Sequence, residues 1–362
     1  MPANGTLRKK TTSSEPSVSI IILGYKQQRF LDACFSSLKK TKYKNYKVMY
    51  VDNARDGSVQ WVKEHYPEIL AVESPTNSGY AGGNNLGMRL APAEYYVLHN
   101  PDMEHVDPFW LKKMVAVLEG DPKGGFAGGV IMPIHLREKL DTKKVRAILP
   151  APIKVHMVSG SLMLVSHNVL EQVGYMCEDY FLYWEETDWQ YRAQLQGFHV
   201  WYVNTPYLNE TGTSTLLNEQ SKSTLLHPRR EVWVDELGNP KPQGFYLFYR
   251  NQIMVLLITA GTTQVLKGLW TVFLRTIYHG ILKFHPRKVA AMGKAIGWLF
   301  SHRKQIAQER HSVQSKRVIP DSVIAERRAA KDAVSAKIDA YYKSVEAQLL
   351  KEKKPLKRIM FH

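Results

Sequence analysis

The sequence predicts a mostly parallel α/β sheet followed by a helical extension, and three observations predict it. Short apolar runs rich in β-branched residues alternate with segments of helical spacing through the first hundred residues. Each of these runs ends in a polar turn carrying Asp, Asn or Gly. Beyond Phe245 the pattern changes to apolar and then charged helices, and the basic charge gathers there.

Val18–Leu23 (VSIIIL) reads as a buried strand. Phe30–Lys39 follows as a helix, with Leu31, Cys34, Phe35 and Leu38 on one side. Tyr46–Val51 (YKVMYV) is a second strand ending in the turn DNARDGS, Val59–His65 is helical, and Ile69–Glu73 is a third strand. The stretch NSGYAGGNNLG comes next and reads locally as a glycine-rich loop opening a helix at Asn84; Met88–Ala91 closes that helix before Pro92. Tyr95–Leu98 (YYVL) is a fourth strand, running straight into His99-Asn100-Pro101-Asp102. Sheets of this kind bind ligands outside the carboxyl ends of their strands, so Asp52, Asn53 and Asp102 are expected on one rim.

Phe126–Met132 and Gly160–Val165 read as further strands. Phe181–Gly197 (FLYWEETDWQYRAQLQG) opens with aromatics, continues as a helix and stops at Gly197. Phe198–Val203 is another strand, Leu216–Pro242 a polar excursion, and Phe245–Ala260 an apolar helix. In Leu266–Phe284 the apolar Leu266, Leu269, Trp270, Phe273, Ile277, Ile281 and Phe284 recur every three or four residues, with Lys267, Thr271, Arg275, His279 and Lys283 on the other side. Such a helix lies in a membrane interface or packs its stripe on the rest of the protein. Ile253–Leu274 has about the length of a membrane span, but Thr259, Thr262, Thr263, Gln264 and Lys267 interrupt it, so peripheral attachment is expected. Asp321–Arg358 is a charged, Ala-rich helix without a wide apolar face.

The 362 residues suffice for more than one domain, and their net charge of +16 is unevenly placed. Residues from Val265 onward carry 21 Lys and Arg against 7 Asp and Glu, whereas residues 1–264 carry 28 and 26. A basic tail attracts nucleic acid or an anionic membrane. No nucleic-acid module accompanies it, and it mixes charge with an apolar face, so the membrane is the expected partner and nucleic acid is not. Cys34 and Cys177 form no disulfide framework and have no metal-ligand spacing, which suits a reducing cytosol. Residues 1–16 are polar and basic and read as a disordered lead-in with no signal peptide.

Four segments, VSIIILGY, VMYVDNARDGS, NSGYAGGNNLGMRLA leading to YYVLHNPDM, and SGSLMLV with YFLYWEETDWQYRAQLQGFHVWYV, resemble family 2 of the nucleotide-sugar glycosyltransferases. Within that family they look most like the rhamnosyltransferase and galactofuranosyltransferase branch. The match spans about Ser17–Arg250, and FYLFYRN at 245–251 looks like the segment that usually follows the catalytic domain. Order and spacing make the set far more specific than any one motif. The resemblance implies a GT-A fold, a Rossmann-like, mostly parallel sheet, over residues 17–244. A membrane-associating helical region (245–305) and a charged helical tail (306–362) are expected to follow.

The implied reaction is inverting transfer of a hexosyl group from a dTDP- or UDP-sugar to a glycan or lipid-linked hydroxyl in cell-surface polysaccharide synthesis, on the inner face of the cell membrane. It needs a grip on the nucleotide, positive charge on the departing diphosphate and a base for the acceptor proton. Asp52, with Asn53, matches the acid that holds the base or ribose; its local alternative is an Asx turn. Tyr25 either packs on the base or is a plain half-buried tyrosine. Asn77, Gly79 and Asn85 are placed near the phosphates, where glycine permits close approach.

Asn100-Pro101-Asp102 occupies the family's metal motif, so Asp102 should ligate Mg²⁺ or Mn²⁺; otherwise it caps a helix before Pro108. In Trp184–Trp189 the catalytic base maps to Glu186, where the family usually has Asp. Trp184 could stack on a sugar, Asp188 orients neighbours, and Glu185, Glu186 and Asp188 also suit an acidic first helical turn. Glu210 stands where members commonly have a metal-binding histidine. The departures at Glu186 and Glu210 motivate a second expectation, a nucleotide-sugar-binding protein that has lost catalysis.

Overall fold

In the computed structural model, which describes residues 15–209, 242–278 and 286–352, the first apolar run forms β1 (Val18–Gly24). It is buried along its whole length because helices cover both its faces. Ile21 and Leu23 point into one core, and Val18, Ile20 and Ile22 into the other. The chain continues through α1 (Gln28–Leu38), β2 (Tyr46–Asp52), α2 (Ser58–His65), β3 (Leu70–Glu73), α3 (Gly79–Leu90) and β4 (Tyr95–His99). Then come β5 (Met103–His105), α4 (Trp110–Glu119), β6 (Gly124–Pro133), α5 (Thr142–Ile148), β7 (Ile153–Lys154), β8 (Leu162–Ser166), α6 (His167–Val173), α7 (Glu185–Leu195) and β9 (His199–Asn209).

The strands form one sheet in the order β3-β2-β1-β4-β8-β6-β9-β5, with β7 beside β9. β3, β2, β1 and β4 are parallel; β8 is antiparallel to both β4 and β6, and β9 is parallel to β6. The sheet is therefore mostly parallel, with β5, β7 and β8 reversed. From β1 the chain builds outward to β3 and then returns to place β4 on the other side of β1. That reversal opens a crevice at the carboxyl ends of β1 and β4, where ligands of open α/β sheets bind.

The glycine-rich stretch corrects the sequence reading. It is helix from Gly79 onward, not a loop opening a helix at Asn84. A methyl group on Gly83 would lie 2.4 Å from a Leu23 side-chain carbon, and one on Gly87 would lie 2.3 Å from Ile21. These glycines let α3 sit directly on β1, and that contact offsets their helical cost of about 1 kcal/mol each.

The C-terminal helices are α8 (Pro242–Thr259), α9 (Thr262–Ile277), α10 (Pro286–Ser301), α11 (Arg303–Ser315) and α12 (Asp321–Glu352). α8 is central to a third core with Tyr180 and Leu195, through Tyr249, Ile253, Met254 and Ile258. The stretch Ile253–Leu274 is split between α8 and α9 at Ala260-Gly261, and among the described residues no helix is long and apolar enough to cross a membrane.

α12 has a narrow apolar stripe that its composition hides. Ile338 and Tyr342 join the core over β6, and the Tyr342 hydroxyl donates to the Ile131 carbonyl at 2.6 Å. Glu15 and Pro16 are also fixed, not part of a disordered lead-in: the Glu15 carboxylate accepts from the Lys44 N–H and the Pro16 carbonyl from the Tyr43 hydroxyl. Leu216–Lys241, His279–His285 and Lys353–Arg358 fall outside the described residues.

Candidate active site

Strand register places the first two acids. Gly24 of β1 pairs with Asp52 of β2, and Ile22 of β1 pairs with His99 of β4, so Asp52 and the Asn100–Asp102 turn flank the carboxyl end of β1 on one rim. Asp52 is fully buried and makes the Asx turn weighed above. Its Oδ1 accepts from the Ala54 and Arg55 N–H groups at 2.7 and 3.1 Å, and its Oδ2 from Asp56 N–H at 3.1 Å. Asn53 clamps the start of α3, its Nδ2 donating to Asn77 Oδ1 at 3.0 Å and to the Gly79 carbonyl at 2.9 Å. Asn77 is exposed at this edge, Gly79 has φ +69° against the Phe181 backbone, and Tyr25 is exposed just past β1.

Asn85 lies elsewhere. It is fully buried mid-helix, bonded through Nδ2 to the Met176 carbonyl and Glu178 Oε1, and through Oδ1 to the Met176 N–H. Expected near the phosphates, it instead ties α3 to the segment before α7. Its amide is taken up by Met176 and Glu178, partners some ninety residues away that the local sequence does not show.

The Asn100 N–H donates to the Ser161 carbonyl at 2.9 Å, which joins the Asp102 turn to the start of β8. Behind the turn, His99 Nδ1 donates to the Asn100 carbonyl at 2.7 Å, and His99 Nε2 lies 2.9 Å from His105 Nε2. Burial pushes His99 down to about 4, so it stays neutral and structural.

Asp102 itself is 4% exposed. Among the described residues, the group of three or more metal-ligating side chains within 4.8 Å of one another is Cys177, Asp179 and Glu309, which does not include Asp102. A single buried carboxylate with an amide neighbour fits Mg²⁺ or Mn²⁺, which retain water and take phosphate oxygens as ligands. Glu210 lies outside the described residues; the strand before it ends at Asn209, paired with Met103.

Glu186 lies on the first turn of α7. A methyl group on Gly160 would lie 3.3 Å from Glu186 Cγ and 2.9 Å from the Tyr80 hydroxyl, and that hydroxyl donates to the Gly160 carbonyl. The contacts close a ring: Asn53 to Gly79, Tyr80 to Gly160, Gly160 beside Glu186, and Ser161 to Asn100. Contacts between neighbouring residues thus link the three segments that carry Asp52, Asp102 and Glu186.

The two neighbouring glutamates differ in surroundings. Glu185 is 3% exposed, and desolvation followed by the charge of Glu186 holds its carboxyl well above the usual range. Glu186 is half-buried. Desolvation and the neighbouring charge both favour the protonated carboxyl of Glu185. In the unfolded chain it ionises in the ordinary range, so between those limits the folded form binds the extra proton and stability falls as pH rises. Glu185→Gln is expected to remove a slope of up to about 1.4 kcal/mol per pH unit and to raise the melting temperature at neutral pH. Denaturation across a pH series checks this, and an unchanged slope would contradict it.

The approach to these acids is strained. Phe181, Tyr183 and Trp184 have φ of +60°, +71° and +72°, a region that costs of order 1–3 kcal/mol per bulky residue. Two residues that sequence reasoning gave no role hold it. Asn251 Nδ2 lies 2.8, 2.9 and 2.7 Å from the carbonyls of Tyr180, Leu182 and Tyr183, and Arg250 donates to the Tyr180 carbonyl.

Asp188, 1% exposed, accepts from the Tyr180 hydroxyl and pairs with Arg192 at 2.7 Å, as an orienting residue would. Gln190, also unforeseen, donates to the Glu186 and Val158 carbonyls at 3.0 Å; its i+4 spacing from Glu186 was the available signal. Asn251→Ala is expected to cost about 1–3 kcal/mol, read by denaturant unfolding, because it strands buried carbonyls.

Residues 19–174 match the family model described as glycosyl transferase family 2. The low-salt glycan biosynthesis hexosyltransferase Agl10 of Haloferax volcanii is 27% identical over 201 residues, covering 51% of this chain and 63% of that protein. The processive diacylglycerol beta-glycosyltransferase of Mycoplasma pneumoniae is 30% identical over 166 residues, 44% of this chain and 47% of that one. The chain thus spans less than two thirds of the length of these relatives. Among solved structures, Staphylococcus aureus TarS 1–349 superposes with a TM-score of 0.53 at 14% identity, covering 83% of this chain and 87% of that one. GalNAc-T7 with UDP, GalNAc and Mn²⁺ gives 0.50 at 11% identity, over 67% and 48%. At these identities the likeness is one of fold, and the fold is the GT-A type.

Proposed function

We propose that this chain is an inverting glycosyltransferase that moves a hexosyl group from a nucleotide diphosphate donor to a hydroxyl of a glycan or lipid-linked acceptor. The contacts that link the segments carrying Asp52, Asp102 and Glu186 support the reading. The match to family 2 and the hexosyltransferase relative support it.

In this reading Asp52 holds the 52–56 turn at the nucleotide end, and Asn53, Asn77 and Gly79 shape the wall beside the diphosphate, with Tyr25 packing on the base. Asp102, with Asn100 beside it and Glu210 after Asn209, would hold a divalent cation. When bound, the cation supplies positive charge to the departing diphosphate. Glu186 takes the proton of the acceptor hydroxyl as its oxygen bonds to the anomeric carbon and the nucleoside diphosphate leaves from the opposite face. Burial disfavours the charged form of Glu185, which lessens the like charge beside Glu186. Trp184 offers the sugar an aromatic face, and Asp188 keeps the turn in place through Tyr180 and Arg192.

The donor is a dTDP-rhamnose- or UDP-sugar-type nucleotide of the rhamnosyl or galactofuranosyl branch, and the setting is cell-surface polysaccharide synthesis at the inner face of the membrane. Residues 17–244 form the catalytic part, 245–305 the membrane-associating helices and 306–362 the charged tail. A thermal-shift series with UDP-, dTDP- and GDP-sugars, with and without Mg²⁺ or Mn²⁺, tests the donor site. A donor at a hundredfold its Kd adds about 2.7 kcal/mol. If no donor–metal pair shifts the melting temperature, the reading fails. A shift without turnover on any acceptor leaves a nucleotide-sugar-binding protein.

A further inference from the structure

We propose that α9 and α10 dock the protein onto an anionic lipid bilayer through apolar faces turned away from the protein. The proposal deepens the peripheral-membrane part of the reading above. Its readout is vesicle binding, which is separate from donor binding and turnover, so the two fail independently.

α9 is oriented the reverse of an ordinary surface helix. It meets α8 through Gly268, Val272 and Arg275. A methyl group on Gly268 would lie 2.3 Å from a Leu256 side-chain carbon, and Val272 and Arg275 are buried, with Arg275 donating to Gln252 at 3.3 Å. At 100° per residue, Leu266, Trp270, Phe273 and Ile277 fall in a narrow stripe on the opposite side. They are 65%, 61%, 52% and 39% exposed. The alternative weighed from the sequence, a stripe packed on the protein, is excluded for these four residues.

α10 repeats the pattern. Ala291, Met292, Ala295 and Leu299 face inward, while Ile296 and Phe300 point out, at 52% and 68% exposure. Charge selects the occupant. From Thr262 to Ser315 the sequence carries nine Lys and Arg and one acid, Glu309, and Lys267, Lys294, Arg303 and Lys304 are exposed. Aromatic rings among cations on helices that cannot cross a bilayer suit the boundary between anionic headgroups and acyl chains.

The test is flotation of the full-length protein with phosphatidylcholine vesicles, with and without phosphatidylglycerol. Wild type is expected to float with the anionic vesicles, less with the neutral ones, and less at high salt. Trp270→Ser/Phe273→Ser is expected to weaken binding at least about tenfold, the loss that 1.4 kcal/mol produces, with an unchanged melting temperature because both rings are exposed. Phe300→Ser on the second helix gives an independent reading should the double variant unfold. Equal flotation of wild type and variants overturns the proposal. So does a solution dimer that the same substitutions dissolve, which would make a second copy the occupant.

Discussion

Glu186→Gln is expected to lower kcat for hexosyl transfer by about 10²–10⁴, the range a positioned general base supplies. Donor affinity should hold within a few-fold. The amide keeps the shape of the side chain, its backbone bond to Gln190 and its place beside Gly160, but it cannot take the acceptor proton. Glu185 is the poorer base: it is 3% exposed, and desolvation favours its protonated form. Glu185→Gln is therefore the matched control and should leave most of the rate. Reversed outcomes, an active Glu186→Gln and an inactive Glu185→Gln, would move the base to Glu185.

Asp102→Asn is the second large effect. Under the proposed role of Asp102 as metal ligand, the substitution should cost several kcal/mol in kcat/KM, roughly a thousandfold, together with the dependence on Mg²⁺ or Mn²⁺. Calorimetric titration of the donor with and without metal separates the causes. A variant that has lost metal-dependent binding but melts like the wild type locates the cation at Asp102. A variant that keeps both turnover and metal response excludes it.

β1, β2 and β4 were legible because each is an apolar run that crosses a covered sheet, and Asp52 and Asp102 follow from where two of those runs stop. What escaped depended on partners distant in sequence. The glycines of α3 look like a loop until Leu23 and Ile21 are seen against them, and Asn85 went astray with them. The stripe of α9 was visible, but periodicity alone does not say which side faces the protein. Ile338 and Tyr342 looked like scattered apolar residues in a charged helix until β6 supplied their seat. Arg250 and Asn251 sat inside a recognised segment, yet their work, gathering the carbonyls of a left-handed turn some seventy residues upstream, has no signature along the chain.

The seat of α12 bears on how the protein is made. Tyr342 bonds to Ile131 across 211 residues, and Arg327 reaches Gln194 across 133. A nascent chain that has exposed β1 to β9 outside the ribosome still lacks the helix that seals them. Completion of that core must wait until α12 has been translated, so early termination before Asp321 would release a product with apolar surface open to chaperones and proteases.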